Sequence, residues 1–256
     1  MELAIDQLLA WSISYLWVLI RVGAMLMVAP IFGSQTLPTR VRLLIALVIS
    51  VVITPMVPDI PTVDPLSVAG FVMIVQQILI GIAMGFVLNL VLAAFVVAGE
   101  SIAMTMGLGF AQTVDPQNGV SVPLVSQFLT IVVTLLMVTL NVPGMIVKML
   151  ADSFTILPIS PIGLTREDFR AIAWFGQQMY INAVLVALPV VTTLLMVNLA
   201  MGVITRAAPQ MNIFSVGFPA TLMIGFFVLF LAAPLWFPNV EQFVQQAFVL
   251  ITEILR

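Results

Sequence analysis

Long stretches of this chain contain no charged side chain. One runs from Leu66 to Gly99 and another from Pro116 to Val147. A helix that crosses a bilayer needs about 20 consecutive, mostly apolar residues. Only 7% of the 256 residues are charged and 62% are hydrophobic, whereas soluble domains average about 25% charged residues. Since a water-soluble fold could not keep so much apolar surface away from solvent, the sequence predicts an integral membrane protein.

The apolar residues fall into six segments, and an amphipathic stretch over Val240–Leu255 follows them. The second segment is short for a span, and the third and fifth are too long for a simple one. We therefore expect an all-α membrane protein of about six long apolar helices, arranged as kinked hairpins, with a C-terminal amphipathic helix. Pro143 and Pro189 should kink their helices. The segments are Gln7–Pro30, Val41–Met56, Leu66–Ala98, Val122–Val147, Ala171–Met201 and Ile213–Trp236.

Several kinds of chemistry are excluded by residue content. The chain has no cysteine and no histidine, which rules out disulfides, thiol catalysis, Cys/His metal sites and histidine acid–base catalysis. No pair of acidic residues lies close together within a span. The net charge is −3 and there is no basic run, so nucleic acid is not an expected partner. We expect no enzymatic activity, no cofactor and no metal.

One basic residue lies deep in an apolar segment. Arg21 falls midway along the first segment, where a charge costs several kcal/mol unless it is paired or faces water. A buried pair or a subunit contact is expected, with snorkelling to the interface as the alternative. Glu100 is a candidate partner. It could equally be a helix-end charge in contact with water.

Two glycines four residues apart indicate close helix packing in the third segment. Gly81 and Gly85 form a GxxxG pattern, which leaves a flat groove for another helix backbone.

A polar, glycine-rich segment, Gly99–Gly119, separates those two uncharged stretches. Inside a membrane protein such a segment is either an exposed loop or backbone lining a water-filled path. Met104 and Met106 precede its glycines. Methionine fills irregular gaps, so these two side chains are either core filler or a deformable seal.

Five motifs, in this order over essentially the whole chain, resemble the FliR family of bacterial type III export membrane proteins, which also includes the SpaR and SctT proteins of injectisomes. The unbroken Arg-x-x-Pro-Gln-x-Asn-x-Phe pattern in the last motif favours the flagellar branch over the virulence branch. The motifs are Arg21–Gly33, Pro38–Arg42, Gln76–Phe86, Gly99–Pro116 and Arg206–Pro219.

The resemblance implies a gate subunit in the flagellar basal body at the bacterial inner membrane. Such a subunit assembles with FliP-type and FliQ-type subunits, beside FlhB- and FlhA-type proteins, and passes unfolded flagellar proteins. Residues 1–165 would be the FliP-like part of a single membrane domain, and residues 166–256 a FliQ-like hairpin and tail. The alternatives are the equivalent virulence-system subunit and a small-solute transporter or channel subunit, which would be expected to show an inverted repeat.

The resemblance also implies two sites. One is a pore plug formed by Met106, Gly107, Leu108, Gly109, Phe110 and Ala111, with Phe110 in the constriction. The other is the tip of the FliQ-like hairpin, formed by Arg206, Pro209, Gln210, Asn212 and Phe214.

Basic residues divide almost evenly between the two sides of the membrane. The acidic residues are lopsided, and they favour the side of Arg40 and Arg206 as cytoplasmic.

Overall fold

The computed structural model describes residues 2–34, 37–58, 60–61, 63–109, 112–114, 121–207 and 213–256. Side chains are described for these residues except 2–10, 112–114, 121–122 and 213–216. The predicted all-α membrane fold is confirmed. The described part contains α1 (Glu2–Val28), α2 (Thr39–Ile53), α3 (Val68–Thr105), β1 (Gln112–Val114), β2 (Ser121–Pro123), α4 (Leu124–Thr139), α5 (Val142–Ile156), α6 (Arg166–Ala207) and α7 (Ile213–Ile254), with one 3-10 turn at Thr54–Met56.

The strands were not expected from the sequence. β1 and β2 pair antiparallel, with Gln112 opposite Pro123 and Val114 opposite Ser121. They flank part of the polar segment Gly99–Gly119. Because this segment is short and lacks apolar alternation, nothing in its pattern predicts a strand pair.

The last helix is longer than the apolar pattern predicts. The sixth segment and the amphipathic stretch after it form one helix, α7, of 42 residues. Pro219, Pro234 and Pro238 all lie inside it. Proline has a φ close to the helical value and removes a single backbone hydrogen bond, and helices of membrane proteins tolerate it. These three prolines therefore lie within α7 and do not end it.

The fourth predicted segment is broken rather than kinked. α4 and α5 meet at an angle of 63° across Leu140–Asn141. Asn141 has φ +57°, a left-handed conformation that asparagine tolerates better than most residues. Pro143 lies in the first turn of α5, where a missing N–H leaves no helical bond unmade. The chain thus bends at Asn141, and Pro143 starts the next helix.

Five of the described helices are long and apolar enough to cross a membrane: α1, α2 with the turn after it, α3, α6 and α7. The bent pair α4–α5 makes a sixth span if it is counted as one. α3 has 38 residues and α6 and α7 have 42 each, against about 20 needed for a span. The chain is a multi-pass membrane protein with several over-long helices.

The chain divides into two compact units. Unit 1 comprises Met1–Leu90, Asn141–Gly176 and Val244–Arg256, and unit 2 comprises Val91–Leu140 and Gln177–Phe243. The core of unit 1 includes Trp17, Met25, Ile80, Met84 and Phe154. The core of unit 2 includes Phe95, Leu129, Val133, Leu194 and Trp236. The division into a FliP-like and a FliQ-like part at residue 165 stays a prediction.

Candidate functional site

Arg21 lies fully buried in unit 1, on α1. Its Nε donates a hydrogen bond to Gln77 Oε1 at 2.7 Å. Nη1 donates to the carbonyl oxygen of Ser153 at 2.8 Å and to its Oγ at 3.2 Å, and Nη2 donates to the carbonyl oxygen of Leu157 at 3.0 Å. The guanidinium also lies 4.2 Å from the ring centroid of Phe154.

These partners are neutral, yet they suit a cation. Ser153 lies in the last turn of α5 and Leu157 directly follows it. The carbonyl oxygen of Ser153 also accepts a hydrogen bond from the N–H of Leu157, and the helix dipole is negative at this end of α5. The face of Phe154 adds a cation–π attraction. Arg21 therefore caps α5 and ties it to α1 and α3.

Glu100, the carboxylate considered as a partner of Arg21, lies on α3 in unit 2 and is partly buried. The hydrogen bonds described for Arg21 go to neutral groups of unit 1 instead. The functional role of Glu100 stays a prediction.

Gly81 and Gly85 face the backbone of α1 within unit 1. A Cβ atom added at Gly81 would lie 2.5 Å from the carbonyl oxygen of Arg21, and one at Gly85 would lie 2.7 Å from that of Met25. Real Cβ atoms essentially never approach other atoms this closely. The helix that fills the GxxxG groove is thus α1 of the same chain, at the turn that carries Arg21.

α3 ends in a Schellman cap at the start of the proposed plug. Gly107 has φ +78°, and its N–H donates to the carbonyl oxygen of Met104 at 3.2 Å. The N–H of Leu108 donates to the carbonyl oxygen of Ala103 at 2.8 Å. This pair of bonds and the left-handed glycine define the motif. The first residues of the proposed plug, Met106 to Leu108, therefore form the capped end of α3.

The two methionines before the glycines have different surroundings. Met106 is fully buried in unit 2, whereas Met104 is 66% exposed. A Cβ atom at Gly109 would lie 2.7 Å from Met104 Sδ, and one at Gly107 would lie 3.4 Å from the ring of Phe218 on α7. Met106 thus packs in the interior of unit 2, and Met104 covers the glycine turn.

The hairpin tip is only partly within the described residues. Arg206 is exposed in the last turn of α6. Phe214 lies in the first turn of α7, and its side chain is not described. Pro209, Gln210 and Asn212 lie outside the described residues, as do Phe110 and Ala111 of the proposed plug. Within the described ranges, no three acidic side chains come together as candidate metal ligands.

Ser153, Phe154 and Leu157 were not identified from the sequence. Ser153 lies 132 positions from Arg21, so no local pattern joins them. The one sequence signal for these contacts was Arg21 itself, because a charge in an apolar segment requires partners somewhere in the fold.

Comparison with known proteins gives the family. The family described as bacterial export proteins, family 1, matches residues 12–247. The flagellar biosynthetic protein FliR of Pectobacterium carotovorum subsp. carotovorum is 38% identical over 245 residues, which cover 96% of this chain and 94% of that protein. FliR of Escherichia coli (strain K12) is 37% identical over 257 residues, covering 100% of this chain and 97% of that protein. FliR of Aquifex aeolicus (strain VF5) is 32% identical over 215 residues, covering 84% and 83%. The chain therefore belongs to the FliR-type bacterial export proteins.

Proposed function

We propose that this chain is a non-enzymatic gate subunit of the flagellar type III export apparatus. It assembles with FliP-type and FliQ-type subunits, beside FlhB- and FlhA-type proteins, in the inner membrane at the flagellar basal body. The assembly passes unfolded flagellar proteins across that membrane. Membership of a family of export proteins supports the export role, and the long apolar helices support residence in a membrane.

The end of α3 is the observation that carries the gate proposal. This 38-residue helix contains one charged residue, Glu100, and it stops at a glycine cap beside a polar segment. Irregular backbone at membrane depth is tolerated where it is buried in protein or lines water. A polar segment after a capped helix end therefore fits a position buried in protein or lining a pore, and not one exposed to lipid.

The plug itself comprises Met106 to Ala111 in this proposal, with Phe110 at the constriction. Apolar side chains at a constriction resist ion leakage because a narrow apolar channel dewets. Gly107 supports the plug proposal, since its left-handed backbone turns the chain away from the axis of α3.

The apolar surface supports assembly with other membrane subunits. Only 22% of the α6 segment is buried within the chain, and large apolar side chains are exposed along it, among them Trp174, Leu188, Met196 and Leu199. In a bilayer such a face contacts lipid or the helices of neighbouring subunits. We assign this exposed face of α6 to contact with both lipid and neighbouring subunits.

The test is to delete Leu108–Ala111 and to measure ion leak across membranes containing the assembled complex. The plug proposal predicts a leak in the closed state that the native complex lacks. An unchanged closed state contradicts the plug. Co-purification tests the assembly: recovery of the chain only as a homo-oligomer in the presence of FliP-type and FliQ-type partners contradicts the gate.

A further inference from the structure

A notch on α7 receives the side chain of Met106. Gly225 is buried in unit 2, and a Cβ atom added there would lie 2.7 Å from Met106 Cε, 2.9 Å from Cγ and 3.1 Å from Sδ. Separations below 3.0 Å are essentially never seen for real Cβ atoms. Met106 is fully buried, so its side chain has little free space to move into. The notch exists because residue 225 has no side chain.

The same face of α7 also contacts the next residue of the α3 cap. Phe218 and Gly225 are seven residues apart, about two helical turns, and therefore lie on one face. The Phe218 ring lies beside Gly107, at 3.4 Å from where a Cβ atom would be. Thr221, between them, is buried and donates a hydrogen bond to the carbonyl oxygen of Phe218 at 2.9 Å. Two consecutive residues of the cap thus fit one stripe of α7.

We propose that Gly225 is a positioning residue for the segment that follows α3. The notch fixes Met106, and Met106 fixes the Schellman cap from which Leu108 departs. The position of Leu108 is therefore set by α7 through Met106. An effect of Gly225 on pore closure rests on the proposed function, whereas the positioning of Leu108 by Gly225 does not.

The experiment replaces Gly225 and reads the environment of position 108. Because the chain has no cysteine, Leu108→Cys introduces a single thiol into it. Its labelling rate by a maleimide in the assembled complex reports how accessible that position is. We expect Gly225→Val to displace Met106 and to change the labelling rate several-fold. In a Met106→Ala background no methionine side chain fills the notch, so Gly225→Val should change the labelling rate little relative to Met106→Ala alone.

Gly202→Val is the matched control. Gly202 lies on α6 in the same unit, and a Cβ atom there meets nothing within 4 Å. The Gly202→Val substitution makes the same change in intrinsic helix preference as Gly225→Val, and it should leave the labelling rate of position 108 unchanged. If Gly225→Val prevents assembly, Gly225→Ala provides the smaller clash in the same comparison.

Equal labelling rates in the Gly225→Val and Gly202→Val variants would overturn the proposal, as would an effect of Gly225→Val that is equally large with Met106 and with Ala at position 106. Ion leak separates this inference from the proposed function. If deletion of Leu108–Ala111 causes no leak, the plug fails, while the labelling result still decides the role of Gly225. If the deletion leaks and the labelling does not respond to Gly225, the plug stands and the positioning role fails.

Discussion

Arg21 and Gln77 form a 2.7 Å hydrogen bond between α1 and α3, with both side chains fully buried. The buried cation thus has a neutral amide as its partner on α3. Removing that acceptor leaves a charged N–H without a partner, which costs about 1–3 kcal/mol or more. We expect Gln77→Leu to lower the thermal unfolding midpoint of the purified complex.

Gln177→Leu is the control for this change, because Gln177 is exposed on α6. It should shift the midpoint little, since surface substitutions usually stay within about 0.5 kcal/mol. Gln77→Glu keeps an acceptor in place and should retain most of the native midpoint. Equal losses in the Gln77→Leu and Gln177→Leu proteins would contradict a stabilising role for the bond.

Close contact between α1 and α3 gives the second prediction. A side chain at position 81 meets the backbone of α1 at Arg21 and Met25, and backbone cannot move aside as a flexible side chain can. Overpacking typically costs about 1–3 kcal/mol. We expect Gly81→Val to reduce the amount of folded protein in the membrane and to lower its unfolding midpoint.

Gly23→Val provides the comparison, since Gly23 lies on α1 and a Cβ atom there meets nothing within 4 Å. Both variants replace a helical glycine by valine, so the difference between them reports the contact at position 81. Similar membrane levels and midpoints for the two variants would show that the groove is unimportant.

The elements that follow from local pattern were predictable, and those that depend on distant partners were not. Apolar runs predicted the membrane spans, because a membrane span is an apolar run of sufficient length. The fourth run reads as one segment in the sequence, whereas the structure has two helices there, α4 and α5. The continuity of α7 through Pro234 and Pro238 was missed, because the apolar pattern ends at Trp236 and the amphipathic stretch after it reads as a separate helix. Helices of membrane proteins tolerate the interior prolines that join the two. Arg21 was identifiable as a buried charge. Its contacts with Ser153 and Phe154 required the fold, since they bring together residues more than 130 positions apart.

The hairpin tip gives the third prediction. Arg206 is exposed in the last turn of α6, where a basic residue gains about 0.3–1 kcal/mol from the helix dipole. Charge reversal therefore costs the fold little. If this tip contacts the export machinery, as the family resemblance implies, Arg206→Glu should weaken motility in soft agar while the protein level in the membrane stays near normal.

Arg170→Glu is the matched control, because Arg170 is also exposed on α6 but lies near its other end. It should leave motility close to that of the native protein. Normal motility in the Arg206→Glu strain would remove the case for a functional tip at this residue.

The cap of α3 gives the fourth prediction. Gly107 holds φ +78°, a region in which a residue with a Cβ atom costs about 1–2 kcal/mol. Gly107→Ala should therefore loosen the Schellman cap, lower the unfolding midpoint and impair motility. Gly107→Asn should be milder, because asparagine visits left-handed backbone more readily than alanine.

Gly202→Ala, at a helical glycine with open space around it, should be neutral or slightly stabilising, since alanine favours a helix by about 1 kcal/mol over glycine. The ranking Gly107→Ala, Gly107→Asn, Gly202→Ala, from most to least harmful, follows from backbone conformation alone. An alanine at position 107 that behaves like the one at position 202 would refute the need for a left-handed residue at the start of the polar segment.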